Sequence, residues 1–132
     1  MQISDFTMAE FDSALRKTKT IIVPFGMVEA HGIHLPLSTD TLTPTFVAKA
    51  VADAYPVMIA PPVHYGVCRS TNEHPGTIGV TFETLLSLAS DLVLSLYSQG
   101  LKNIVLLTGR GVSTHAPALI LEADRAYANI MT

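Results

Sequence analysis

Cysteine is nearly missing from this chain: Cys68 stands alone among 132 residues. No intrachain disulfide can form, which suits a reducing compartment. Charge is sparse as well. Only 14% of the residues are Asp, Glu, Lys or Arg, below the usual quarter, and 8 basic against 11 acidic residues leave a net charge of −3. There is no basic stripe, so no nucleic-acid partner is expected. No apolar run reaches a bilayer-spanning length, and Met1-Gln2-Ile3-Ser4-Asp5 lacks a positive start followed by an apolar core. Neither a membrane partner nor a signal peptide is expected, and the cytoplasm is the default location. Repeats, low-complexity tracts and linkers are missing too. Residues 1–132 are therefore expected to form one domain.

Apolar residues, by contrast, make up 48% of the chain. A chain so apolar and so sparsely charged either closes a tight core or also buries surface against another subunit, and a homo-oligomer is expected.

The apolar pattern alternates between two periods. Thr7-Met8-Ala9-Glu10 has the spacing of a capping box, and a short helix to about Arg16 is expected, with Met8, Phe11 and Leu15 on one face. Residues 20–25 form a β-branched run without polar alternation, which predicts a strand buried on both faces. Residues 41–54 read as a helix with Phe46, Val47, Ala50 and Val51 at helical spacing, and Pro44 fits only in its first turn. Residues 57–60 read as a second strand, stopped by Pro61-Pro62. Residues 63–77 read as loop. Thr81 opens a helix carrying Leu85, Leu88, Leu92 and Leu96, which Gly100 stops. Residues 103–107 read as a third strand and residues 116–130 as a last helix. Strands alternating with helices predict a mainly parallel sheet covered on both sides, a three-layer α/β/α arrangement.

The densest chemistry lies just after the first strand, in Glu29-Ala30-His31-Gly32-Ile33-His34-Leu35-Pro36-Leu37-Ser38-Thr39-Asp40. Two carboxylates and two imidazoles share twelve residues, and these are the ligands that borderline divalent metals such as zinc prefer. In an extended segment Glu29 and His31 point to the same side. A strand end is also where open α/β sheets place their sites. The competing reading is a polar loop with incidental histidines.

That loop resembles the signature of the creatininase family of metal-dependent amidohydrolases, roughly E-x-H-G-x-H-L-P-x-x-x-D. Glu29, His31, Gly32, His34, Leu35, Pro36 and Asp40 occupy every fixed position. Tyr65-Gly66 followed by Pro75-Gly76-Thr77 is similar to the family's Y-G…P-G-T loop. Thr108-Gly109-Arg110-Gly111 stands where the family has N-G-H-G. The resemblance implies a creatininase-like α/β fold of which this chain covers about the first half, the C-terminal half being absent. It also implies two divalent metals, zinc or manganese, and a small-molecule amide substrate. Asp40 would bridge both ions, Glu29 would complete one ligand set and His31 the other. His34 would lie close by, touching substrate or a ligand.

One departure bears on all of this. The histidine of N-G-H-G is a metal ligand in the family, and here Arg110 replaces it. A guanidinium has no lone pair to give and puts a positive charge where a cation belongs. Metal binding is therefore expected to be weak or absent. His115 either supplies a substitute imidazole or caps the next helix or faces solvent. His74 reads as a proton carrier at the mouth of the site or as an exposed loop histidine. His64 reads as a structural histidine. Cys68, without a histidine at short spacing, does not read as a nucleophile. Gly109-Arg110-Gly111 at a strand end could hold an anion or the substrate. Three functions compete: a metal amidohydrolase, an impaired structural or regulatory relative in which Arg110 pairs with Glu29 and Asp40, and an anion-binding α/β module.

Overall fold

The computed structural model describes residues 1–111, together with Ala116, Pro117, residues 119–121, Asp124, Arg125 and Ala128. A 3-10 turn (Ile3–Asp5) leads into α1 (Met8–Lys17), β1 (Thr20–Phe25), α2 (Thr39–Ala54), β2 (Met58–Ile59), α3 (Phe82–Ser98) and β3 (Asn103–Thr108). The described residues from 116 onwards are helical, as the sequence predicts there; the rest of that expected helix lies outside the described residues.

The three strands form a parallel sheet in the order β2-β1-β3. β1 is central and pairs with β3 from Thr20↔Asn103 to Phe25↔Thr108. Its side chains alternate into two layers. Ile21, Val23 and Phe25 pack with Ala14 of α1 and Leu85 and Ala89 of α3. Ile22 packs on the opposite face with Ala48 of α2, Val57 and Ile59. Both faces of β1 are buried, as its unbroken apolar run predicts. Each fully buried residue of this kind contributes roughly 1.5–3 kcal/mol.

The capping box forms as read: Thr7 Oγ1 accepts from the Glu10 backbone, and the Thr7 backbone N–H donates to the Glu10 carboxylate at 2.7 Å. Met8, however, is 90% exposed, so the packed face of α1 is Phe11, Ala14 and Leu15 without it. β2 is shorter than residues 57–60. The cause is the proline pair after it. Ala60 still donates to the Ile22 carbonyl (2.9 Å), but Pro61 and Pro62 have no N–H, and pairing resumes only at Val63, which donates to Pro24 (2.9 Å). Pro24 is tolerated in the central strand because its missing N–H lies on this same interrupted side, where its carbonyl accepts from Val63.

α2 begins at Thr39 rather than at residue 41, since the Ser38 carbonyl already accepts from Thr41 (2.8 Å) and Leu42 (2.9 Å). Pro44 is thereby in the second turn, where it removes the bond to the Asp40 carbonyl. The buried stripe of α2 is Thr41, Pro44 and Ala48; Phe46 is 74% exposed and Val47 also faces out. Only small side chains fit beneath the helix, because it approaches the strand ends very closely. A Cβ on Gly26, just after β1, would lie 2.2 Å from Thr41 Oγ1. One on Gly109, just after β3, would lie 2.1 Å from the Asp40 carbonyl oxygen. These two glycines let the first turn of α2 rest on the C-terminal ends of β1 and β3.

Candidate metal centre

That close approach assembles the site. Asp40 is carried in on the first turn of α2, Glu29 and His31 on the segment after β1, and Arg110 on the turn after β3. The segment bearing Glu29 is held from both sides. The Glu29 N–H donates to the Leu37 carbonyl (2.9 Å), the Ala30 N–H to Thr77 Oγ1 (3.0 Å) and the Ile78 N–H to the Val28 carbonyl (2.9 Å). The Pro75-Gly76-Thr77 loop thus clasps the ligand-rich segment.

Ligand atoms of Glu29, His31 and Asp40 all lie within 4.8 Å of one another. Glu29 and Asp40 are buried and His31 is half-buried. His31 Nδ1 lies 3.0 Å from the Glu29 carbonyl oxygen, to which it can only donate. That bond turns Nε2 toward Asp40, 3.1 Å from Oδ1. A backbone carbonyl behind one ring nitrogen is the usual way a metal-binding imidazole is aimed. Burial pushes the Asp40 carboxyl above its ordinary value of 3.8, and the neighbouring His31 offsets only part of this.

Arg110 is 4% exposed and is aimed into this cluster. Its Nη1 pairs with Glu29 Oε2 and lies 3.3 Å from Asp40 Oδ2. Burial pushes its pKa below the usual arginine value, yet an arginine keeps its proton throughout the working range. The guanidinium therefore faces the protein's own carboxylates. Its fit is incomplete: Nε is buried without a hydrogen-bond partner among the described residues.

Among the described residues, the other sequence-derived candidates are not members of this cluster. His34, His64 and His74 are exposed. His74 is tied by its backbone alone, donating to the Thr71 carbonyl (2.9 Å). His115 lies outside the described residues. Two residues of the cluster were not singled out as site residues by sequence reasoning. Thr71 Oγ1 donates to Glu29 Oε1, and Cys68 Sγ lies 3.4 Å from the same oxygen, 2.9 Å from Thr71 Oγ1 and 3.5 Å from Arg110 Nη2. The available signal was their place on the Tyr65-Gly66…Pro75-Gly76-Thr77 loop, which folds back over the ligand segment.

A convergent imidazole and two carboxylates with an aimed Nε2 fit a divalent cation; Arg110 supplies a positive charge to the same carboxylates.

Known proteins resemble this chain in sequence and in fold. Residues 4–131 match the family model described as "Creatininase: Creatinine amidohydrolase". The creatinine amidohydrolase of Pseudomonas putida is 27% identical over 113 residues, 81% of this chain and 44% of that protein. The mycofactocin precursor peptide peptidase of Mycolicibacterium smegmatis is 34% identical over 104 residues, 74% of this chain and 42% of the relative. Among solved structures, a mutant creatininase of Zn-Zn type superposes with a TM-score of 0.91 at 24% identity, covering 98% of this chain and 52% of that one. The chain spans about half the length of the relatives it matches.

Proposed function

The chain belongs to the creatininase family, and from that premise we propose that it is a metal-dependent amidohydrolase cleaving a C–N amide bond of a small molecule. The observation that carries this reading is the convergence of Glu29, His31 and Asp40 within 4.8 Å. In this reading the three side chains would hold a divalent cation, zinc or manganese, and Asp40 would be the carboxylate shared with a second. A cation so held supplies Lewis-acid polarisation of the amide carbonyl and acidifies water. The chain's own residues do the rest. The Glu29 carbonyl keeps the His31 ring aimed, and the Thr71 hydroxyl holds Oε1 of Glu29. His74, open to solvent, serves as a proton carrier, His34 touches substrate or a ligand, and His115 is the candidate for the imidazole that Arg110 replaces. Residues 1–132 act as one creatininase-like domain in a cytoplasmic homo-oligomer.

A second reading rests on one specific contact, the pairing of Arg110 with both Glu29 and Asp40. There the guanidinium stands in for the cation, and the chain is an impaired relative acting as a structural or regulatory subunit. Metal analysis of protein purified without chelator separates the two. The hydrolase reading expects zinc or manganese in the protein, or uptake of one on addition. Protein that carries none and takes up none, while an Arg110→His variant does, establishes the second reading.

A further inference from the structure

We propose that this chain takes a single exchangeable cation, on the His31 side of Asp40, while the guanidinium of Arg110 serves as a permanent second positive charge on the Glu29 side. The inference rests on the metal reading above and narrows it: a two-metal centre does not fit these residues.

The Asp40 carboxylate already faces two ways. Oδ1 lies 3.1 Å from His31 Nε2, and Oδ2 lies 3.3 Å from Arg110 Nη1. A carboxylate shared between two positive centres presents its oxygens in this manner. The two sides are built differently. On one, Arg110 Nη1 meets both Asp40 Oδ2 and Glu29 Oε2, and the arginine side chain is 4% exposed. On the other, the Glu29 carbonyl aims the His31 ring, whose side chain is 23% exposed. The first side is filled and sealed. The second is reached from solvent and offers an imidazole and a carboxylate oxygen, donors that zinc and manganese accept.

Charge sets the number. With the imidazole neutral, as a ligand must be, Arg110 offsets only one of the two buried carboxylates. One divalent cation answers the negative charge left over. A second, beside a buried guanidinium, would bring more positive charge than the two carboxylates can meet. The hydrogen bonding of Arg110 is poor for so buried a group. Nη2 reaches only the Cys68 sulfur, at 3.5 Å, and Nε has no partner among the described residues. What the guanidinium matches is the charge of the carboxylate pair, the property a cation would share. Having no lone pair, it also gives nothing to an ion on its own side.

Manganese(II) alone is the probe, because its electron paramagnetic resonance distinguishes an isolated ion from a coupled pair. In calorimetric titration the wild-type chain should take one equivalent. Its spectrum, with the free-ion signal subtracted, should keep the resolved hyperfine lines of isolated manganese. Arg110→His removes the resident charge and should take a second equivalent, with those lines broadened by coupling between ions a few ångströms apart. His31→Ala should abolish uptake in the otherwise wild-type chain. Two coupled equivalents in the wild type would overturn the inference and leave the metal reading standing with both positions open. Uptake by Arg110→His but none by the wild type would also overturn it, in favour of the impaired relative. No uptake by either would remove the metal reading and this inference with it. If Arg110→His fails to fold, the stoichiometry and spectrum of the wild type decide on their own.

Discussion

Arg110 is the residue on which the site turns. Two buried carboxylates close together resist ionising at once, and the guanidinium makes that arrangement tolerable. Replacing it with histidine removes the competing charge and restores an imidazole. Arg110→His should bind zinc or manganese at least about tenfold more tightly than wild type in calorimetric titrations. Equal, tight binding by both proteins would show that Arg110 does not compete. Asp40 gives a pH signature in metal-free protein. Its pKa is raised in the folded state, so between 3.8 and the raised value the folded chain holds more protons than the unfolded one. Stability from this group is present below 3.8 and is lost as pH rises through the folded pKa. Asp40→Asn lacks that loss. Urea denaturation across this interval should therefore show its stability improving relative to wild type as pH rises, and a constant difference would contradict the assignment.

At the level of elements, the site depends on how tightly α2 meets the strand ends. Gly109→Ala would drive a methyl group into the Asp40 carbonyl and Pro44. A cost of about 1–3 kcal/mol is expected in thermal or urea unfolding, with weaker metal uptake because Asp40 is displaced. Gly100→Ala, where nothing lies within 4 Å, is a useful contrast: any cost there comes from its positive φ alone. The same tight packing explains what the sequence did and did not reveal. β1 and α3 were legible because a buried β-branched run and a leucine repeat each report one local period. The capping box at Thr7 and Glu10 was legible because it is a contact across three residues. The buried face of α2 was not, because helical spacing of large apolar residues marks the core only where the core has room for them. Here room exists for Thr41, Pro44 and Ala48, and Phe46 points away. Glu29, His31 and Asp40 could be read from one short segment. Cys68 and Thr71 reach Glu29 across 39 and 42 residues, a proximity that no local pattern encodes.

For the molecule as a whole, the outward face of α2 carries Leu42, Phe46 and Val47, and Leu35 and Leu37 are exposed on the segment before it. Among the described residues β3 has a strand on one side only, with Val105 44% exposed. Apolar surface of this kind, on a chain with so few charges, favours self-association. Sedimentation at micromolar concentration should show a dimer or larger species, and Phe46→Glu should shift it toward monomer. A monodisperse wild-type monomer would count against the expected oligomer. Among the described residues no helix is long and apolar enough to cross a membrane.

The placement of β1 at the centre of the sheet has a consequence for how the chain acquires its shape. The central strand comes early in the chain, but its main partner begins 83 residues later, where Asn103 meets Thr20. Closing so long a loop must precede the contacts that reward it, which slows folding. Arg110 follows immediately after that late strand. During synthesis, Glu29 and Asp40 therefore emerge long before the charge that pairs with them. Closure of the sheet is the step that brings the guanidinium to the two carboxylates. A cation present at that moment competes with Arg110 on open terms, whereas one added afterwards must displace a guanidinium already sealed in place. Refolding in the presence of metal and loading of the finished fold would then be kinetically different routes to the same centre.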